Sequence, residues 1–328
     1  MHKPTPCQQR RRLLAAAAAL PLSHVGATWA QEYPGKPVTF IVSFPPGSGA
    51  DTTARLYARR MQEITKQTFI VENRPGANSF LAAQAVAKAN PDGYTLFYAS
   101  NSPVVVNAVL FKKPPYDPVA DFAPVARASR GTNLIVVPAG SPHKSVADLA
   151  AAAKAKPKGL SYASGSASYQ IATELFAELL GVDFLHVPYK GSAPALVDTA
   201  AAVVDFAIAD ISAALPLITG GRLRALAVSS DKRHAALPAV PTATEAGAKG
   251  FEFYNWTGLF APARTPQALI DKLAALMQQI TAEPETVAFL AKVGGETFPG
   301  GPQELRRYQL AEIEQWKRTA QRAGIQPE

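Results

Sequence analysis

Short apolar runs alternate along this chain with longer stretches whose apolar positions recur at helical spacing. Val38-Thr39-Phe40-Ile41-Val42 reads as a buried strand. Ala54, Tyr57, Ala58, Met61 and Ile64 then fall on one helix face. The same alternation predicts strands over 38–44, 68–72, 94–99, 133–138, 159–163, 183–187, 204–208 and 223–229. Helices are predicted between them over 50–66, 79–89, 145–156, 168–180, 192–202 and 212–219. Ser145 with Asp148, and Thr242 with Glu245, read as capping boxes. Thr265-Pro266 reads as an N-cap with proline at the first helical position, opening a helix with Leu269, Ile270, Leu273, Leu276, Met277 and Ile280 on its apolar side. Strand–helix alternation of this kind predicts an α/β protein with parallel sheets covered by helices on both faces. The length of 328 residues suggests two domains.

The first thirty residues carry a different pattern. Arg10, Arg11 and Arg12 precede the apolar run Leu13 to Leu22, and Thr28-Trp29-Ala30 places small residues at −3 and −1 before Gln31. This is the layout of a secretory signal spanning 1–30. The run is too short to cross a bilayer, which takes about twenty apolar residues. Arg10-Arg11-Arg12-Leu13-Leu14 also fits a twin-arginine signal, so export by the general secretory or the twin-arginine route is expected. The net charge is +8, and Lys3 with the three arginines would take four of those charges with the leader. No basic cluster with interleaved aromatics appears, so nucleic acid is not an expected partner. The single cysteine, Cys7, lies in the leader, so the exported chain would hold no disulfide.

The candidate chemistry sits where strands end. Phe44-Pro45-Pro46-Gly47-Ser48-Gly49-Ala50-Asp51 lies between a strand and a helix start. Glycine lets backbone approach a ligand, and the first amides of a helix are unpaired and partly positive. Together they suit a carboxylate. Locally the stretch is equally consistent with an ordinary turn that places Asp51 at the helix start. Asn101-Ser102, Ser164-Gly165-Ser166-Ala167-Ser168-Tyr169, Tyr189-Lys190-Gly191-Ser192 and Asp210-Ile211-Ser212 also follow predicted strands. Each alone reads as a cap or turn. In parallel α/β sheets, however, ligands bind beyond the carboxyl ends of strands. His186 reads as a core histidine and Trp256 as core or hinge packing. There is no G-x-S-x-G, H-E-x-x-H or C-x-x-C, and Thr52 replaces the third glycine of a dinucleotide fingerprint. No catalytic residues, metal ligands or cofactors are therefore expected, and the odds move from an enzyme toward a binding protein.

At these residues the chain resembles the periplasmic receptors of tripartite tricarboxylate transporters, the Bug family. The resemblance is carried by Tyr33-Pro34-Gly35-Lys36-Pro37-Val38, Phe44 to Asp51, Val71-Glu72-Asn73-Arg74-Pro75-Gly76-Ala77 and Pro91-Asp92-Gly93-Tyr94-Thr95-Leu96. It continues through Tyr116-Asp117-Pro118, Asp121 to Val125, His186 to Gly191, Arg224 to Val228 and Gly258 to Pro262. Several long motifs in one order are far more specific than any single one.

The resemblance implies a type II periplasmic binding protein fold, two doubly wound lobes joined by two crossover segments. Lobe 1 would comprise 31–132 plus 253–328, and lobe 2 would comprise 133–252. It implies a periplasmic monomer that captures a small organic carboxylate between the lobes and delivers it to membrane subunits of a tripartite transporter. The implied ligand-binding residues are Phe44, Gly47, Ser48, Gly49, Asp51, Asn101 and Ser102 from the first lobe, with Ser164, Ser166, Ser168, Tyr169 and Asp210 from the second. A receptor presenting its ligand to a signalling partner is the alternative, and a secreted carboxylate-processing enzyme is a third reading. The chain departs from the common pattern at Tyr169-Gln170, where members often carry His-Leu, and at Ile211, where a polar residue is frequent. Both departures point to an aromatic or flat carboxylate rather than a citrate-like one.

Overall fold

The computed structural model describes residues 33–322 and 325–327, so the signal expected over 1–30 lies outside the described residues. Residues Lys36–Glu328 form one compact unit. Strand β1 (Val38–Val42) leads into helix α1 (Gly49–Thr65), then β2 (Phe69–Asn73), α2 (Phe80–Ala87) and β3 (Thr95–Ser100). A π-wound turn (Ser102–Val106) runs into the short α3 (Asn107–Leu110). The long β4 (Phe122–Pro138) follows, then α4 (Val146–Ala155), β5 (Ser161–Ser164), α5 (Ala167–Leu180) and β6 (Leu185–Pro188). Next come α6 (Ser192–Ala200), β7 (Phe206–Asp210), α7 (Ile211–Thr219) and β8 (Leu223–Val228). The chain ends with β9 (Tyr254–Pro262), α8 (Gln267–Ala282), α9 (Pro284–Lys292), β10 (Gly295–Thr297) and α10 (Pro302–Arg322).

The sheet is built twice on one plan. The first half runs β2-β1-β3-β9-β4, with β1 parallel to β2 and β3. The second runs β6-β5-β7-β4-β8, with β5 parallel to β6 and β7. In each half the third strand pairs antiparallel with a strand arriving from elsewhere in the chain, β9 in one and β4 in the other. This order is that of the type II periplasmic binding protein fold, two doubly wound lobes sharing crossing strands. β4 changes partners along its length. Residues 122–132 pair with β9, and 133–138 pair with β7 and β8. At the change, the fully buried Asn133 donates from its side chain to the Phe253 carbonyl at 3.1 Å, and its amide donates to Ser229 Oγ at 2.9 Å.

The elements follow from the sequence for ordinary reasons. Ser48, Ser145 and Ser166 each accept a hydrogen bond from the third helical amide of the helix they open. Thr242 and Glu245 bond each other reciprocally, but over a turn rather than a helix. Thr265 is not an N-cap: α8 opens at Gln267 with Pro266 at the cap position. His186 bonds Ser164 Oγ at 2.7 Å and stacks on Tyr162, so it is satisfied as expected, but it is half-buried on the edge strand β6 rather than in the core. The expected strand at 133–138 starts eleven residues earlier, at Phe122. β9, α9, β10 and α10 are additions that the hydropathy pattern did not predict.

Two buried carboxylates hold the parts that frame the cleft. Asp51 accepts from the Gly47 amide (2.9 Å), Arg55 Nε (3.1 Å) and Asn73 Nδ2 (2.9 Å), fixing the β1–α1 turn. Burial alone would raise its pKa, but Arg55, the Gly47 amide and Asn73 outweigh that and hold it below its ordinary 3.8. The stabilisation is therefore complete above pH 3.8 and is lost as pH falls through the lower folded value. Asp51→Asn is expected to cost about 1–2 kcal/mol at pH 7. Urea denaturation should show that gap narrowing below pH 3.8; a gap independent of pH would refute the charge assignment.

Glu312 on α10 accepts from Trp256 Nε1 at 2.5 Å and from the Tyr308 hydroxyl at 3.1 Å. Burial pushes it up to about 7, and those two donors offset the shift only in part. The folded protein thus binds this proton more tightly than the unfolded chain, whose ordinary value is 4.5. Stability from this group is full below pH 4.5 and falls as pH rises through about 7. Glu312→Gln should therefore gain stability relative to the parent as pH climbs from 5 to about 8, followed by denaturation at each pH. Parallel stability curves would remove Glu312 as the titrating group.

Candidate functional site: a cleft ringed by helix starts

The β1–α1 turn supplies Phe44, Ser48, Gly49 and Ala50 to a cleft between the two halves. Asn101 and Ser102 enter from the end of β3. The second half answers with Ser166, Ser168 and Tyr169 at the start of α5, Ser192 at the start of α6, and Asp210, Ile211 and Ser212 where β7 becomes α7. The crossing strands add Arg130 to Thr132 and Asn255 to Thr257, the end of α9 and the turn after it add Leu290, Val293 and Gly294, and β10 adds Gly295. The space enclosed, mouth included, is about 780 Å³.

Four helices, α1, α5, α6 and α7, thus begin at the cleft wall. Their first amides have no intrahelical partner, and the aligned peptide dipoles leave these ends partly positive. Ser48 and Ser166 each occupy one amide of their own helix. The Ser168 amide donates to Ser102 Oγ at 3.2 Å, and the two hydroxyls lie 2.7 Å apart, so the halves touch across the cleft. Gly49 is needed for close approach: a methyl there would stand 3.1 Å from Asp210 Oδ1. Asn101 is 1 % exposed, and its side-chain nitrogen has no partner among the described residues. Such a buried donor is costly unless something accepts from it.

Side-chain charge is sparse. Among the described lining residues Arg130 is the one basic group and Asp210 the one acidic group. Arg130 is paired with Glu296 at 2.5 Å and lies 4.9 Å from the Tyr254 ring. Asp210 accepts from Tyr169 (3.1 Å) and Ser192 (2.7 Å) at one oxygen and from Ser212 (2.8 Å) at the other. Burial first, and then the Asp210 charge, push the Tyr169 phenol well above its usual range, so it remains a donor. Asn255 Nδ2 donates to the same phenol oxygen at 3.2 Å. Apolar lining is supplied by Phe44, Ile211, Trp256, Leu290 and Val293. No group of three or more metal-ligating side chains occurs among the described residues.

Nine of the twelve residues singled out from the sequence line this cleft: Phe44, Ser48, Gly49, Asn101, Ser102, Ser166, Ser168, Tyr169 and Asp210. Gly47, Asp51 and Ser164 do not line it: Gly47 is exposed, and Asp51 and Ser164 are buried. Asp51 is consumed by Gly47, Arg55 and Asn73, and the Ser164 hydroxyl by His186. Ser192 and Ser212 belong to strand-end clusters visible in the sequence. Arg130, Asn255 and Gly294 gave no such signal, because the crossing strands bring them in from distant parts of the chain. Trp256 is both core, at 1 % exposure, and part of the cleft wall.

Residues 53–325 match the family model described as the tripartite tricarboxylate transporter family receptor. A UPF0065 protein from the tcbD-tcbE intergenic region of a Pseudomonas species is 38% identical over 313 residues, 94% of this chain and 93% of that one. Protein BugT of Bordetella pertussis is 33% identical over 315 residues, 95% of each chain. Among solved structures, R. palustris Rpa4515 with adipate superposes with a TM-score of 0.87 at 36% identity, covering 90% of this chain and 100% of that one. MatC from Rhodopseudomonas palustris with bound malate gives 0.82 at 32% identity, covering 88% and 99%. The chain belongs to the tripartite tricarboxylate transporter receptor family, whose members include the Bug proteins.

Proposed function

We propose that this protein is a periplasmic solute-binding receptor. It captures a small organic carboxylate in the cleft and delivers it to the membrane subunits of a tripartite transporter. Residues 1–30 act as the export signal. Residues 31–132 with 253–328 move as one lobe and 133–252 as the other, closing about the paired crossing strands. A ligand that touches both lobes favours the closed state by its extra contacts there.

The observation that carries this reading is Asn101: a buried donor without a partner among the described residues, set among helix starts from both halves. A carboxylate satisfies it and the free amides of Gly49 and Ala50 together. The related proteins bound to adipate and malate agree with that chemistry. Ser48, Ser102, Ser166 and Ser168 complete the polar wall. Phe44 and Trp256 receive the ligand's body, and Ile211 puts an apolar rather than a polar side chain at the start of α7, which favours a flat, apolar or aromatic acid over citrate. Asp210, already holding three hydroxyls, orders the second lobe's part of the wall.

The test is thermal shift and calorimetric titration of refolded protein against mono-, di- and tricarboxylates, aromatic acids and acidic amino acids. One class should stabilise it selectively, by about 2.7 kcal/mol at a hundredfold excess over the dissociation constant. An acid with an apolar or aromatic body should bind more tightly than citrate. Asn101→Leu should weaken that ligand about tenfold or more while the fold persists by circular dichroism. A flat response from folded protein, or chemical turnover of an acid by mass spectrometry, would defeat the receptor reading.

A further inference from the structure

Ile211 opens α7 in the second half, and Gly294 sits in the turn before β10, which pairs with the first half of β4. The two meet across the cleft. A methyl added to Gly294 would collide with Ile211 Cγ2 and lie 3.2 Å from its Cβ and 3.5 Å from its Cγ1. Ile211 is 1 % exposed, so its side chain is spent on this contact and its own core rather than on solvent. One turn of the first half is therefore met closely by a side chain of the second.

We propose that the Ile211 side chain, seated in the notch left by Gly294, is an apolar catch that holds the cleft shut and sets affinity for whatever the cleft binds. The inference rests on the reading of the protein as a receptor that closes on its ligand. Burying an aliphatic side chain favours the closed arrangement without any directional bond. Apparent affinity scales with the fraction of molecules that are closed, so a residue outside the polar wall can tune it. The notch requires glycine on two counts: the space is filled by Ile211, and the backbone there has φ +81°.

A double-substitution cycle separates those counts. Ile211→Ala, Gly294→Ala and the combined variant are compared with the parent by small-angle X-ray scattering without ligand. Each is then titrated with adipate, malate and benzoate. Gly294→Ala should expand the particle and weaken the acid that the parent binds by about tenfold. Adding Ile211→Ala should move both readouts from the Gly294→Ala values back toward those of Ile211→Ala alone, because the collision with Cγ2 is gone and only the backbone strain remains. A combined variant as impaired as Gly294→Ala would overturn the catch and leave backbone strain as the cause. An unexpanded Gly294→Ala would overturn it too. If the parent binds none of these acids while scattering shows the rescue, the carboxylate reading loses its support and the catch stands.

Discussion

The rest of the structure depends on one strand satisfying two sheets. β4 is seventeen residues long, and every amide and carbonyl along it needs a partner. Its first part finds them in β9 and β10, its second in β7 and β8. The exchange falls at Thr132 and Asn133, where β9 is also beginning at Tyr254. Asn133 ties the two passages together by reaching the Phe253 carbonyl. This buried amide fastens the point where the two strands cross between the lobes.

That crossing fixes where the strands of both halves end. β1, β3, β5, β6 and β7 deliver their carboxyl ends toward a common gap, so the helices that follow begin there. Positive potential in the cleft therefore comes mainly from peptide dipoles rather than from lysines. The arrangement has a physical advantage. Backbone amides hold fixed positions, whereas a long cationic side chain gives up rotamer freedom on binding. The one guanidinium in the wall, Arg130, is already engaged by Glu296. Asp210 is compatible with such a site because three hydroxyls donate to it and α1 begins beside it.

The cleft wall is also continuous with the core. Trp256 faces the cleft on one side and packs on Tyr308 on the other, with its indole N–H committed to Glu312. A change in α10 is thereby felt at the wall through one aromatic residue. Ile211 couples the same way to the apolar cluster of the second half. Residues of this kind give a binding protein its stiffness: the wall of the cleft is built on side chains anchored in the core behind it.

Much of this was legible in the chain. Local periodicity defined β1, α1 and most strand–helix pairs, and short polar clusters after the strands marked nine residues of the cleft. These features are local, because side-chain spacing and caps act within a few residues of themselves. The sequence by itself also determined which helices begin with serine or glycine, and so where free amides lie. Only tertiary structure decided that Asp51 and Ser164 turn away from the cleft, since their partners Asn73 and His186 are twenty-two residues off. Only tertiary structure extended β4 back to Phe122, because that half is stabilised by pairing with β9, more than a hundred residues later. And Ile211 meets Gly294 for a reason no local pattern contains: two segments far apart in sequence are brought face to face by the crossing strands.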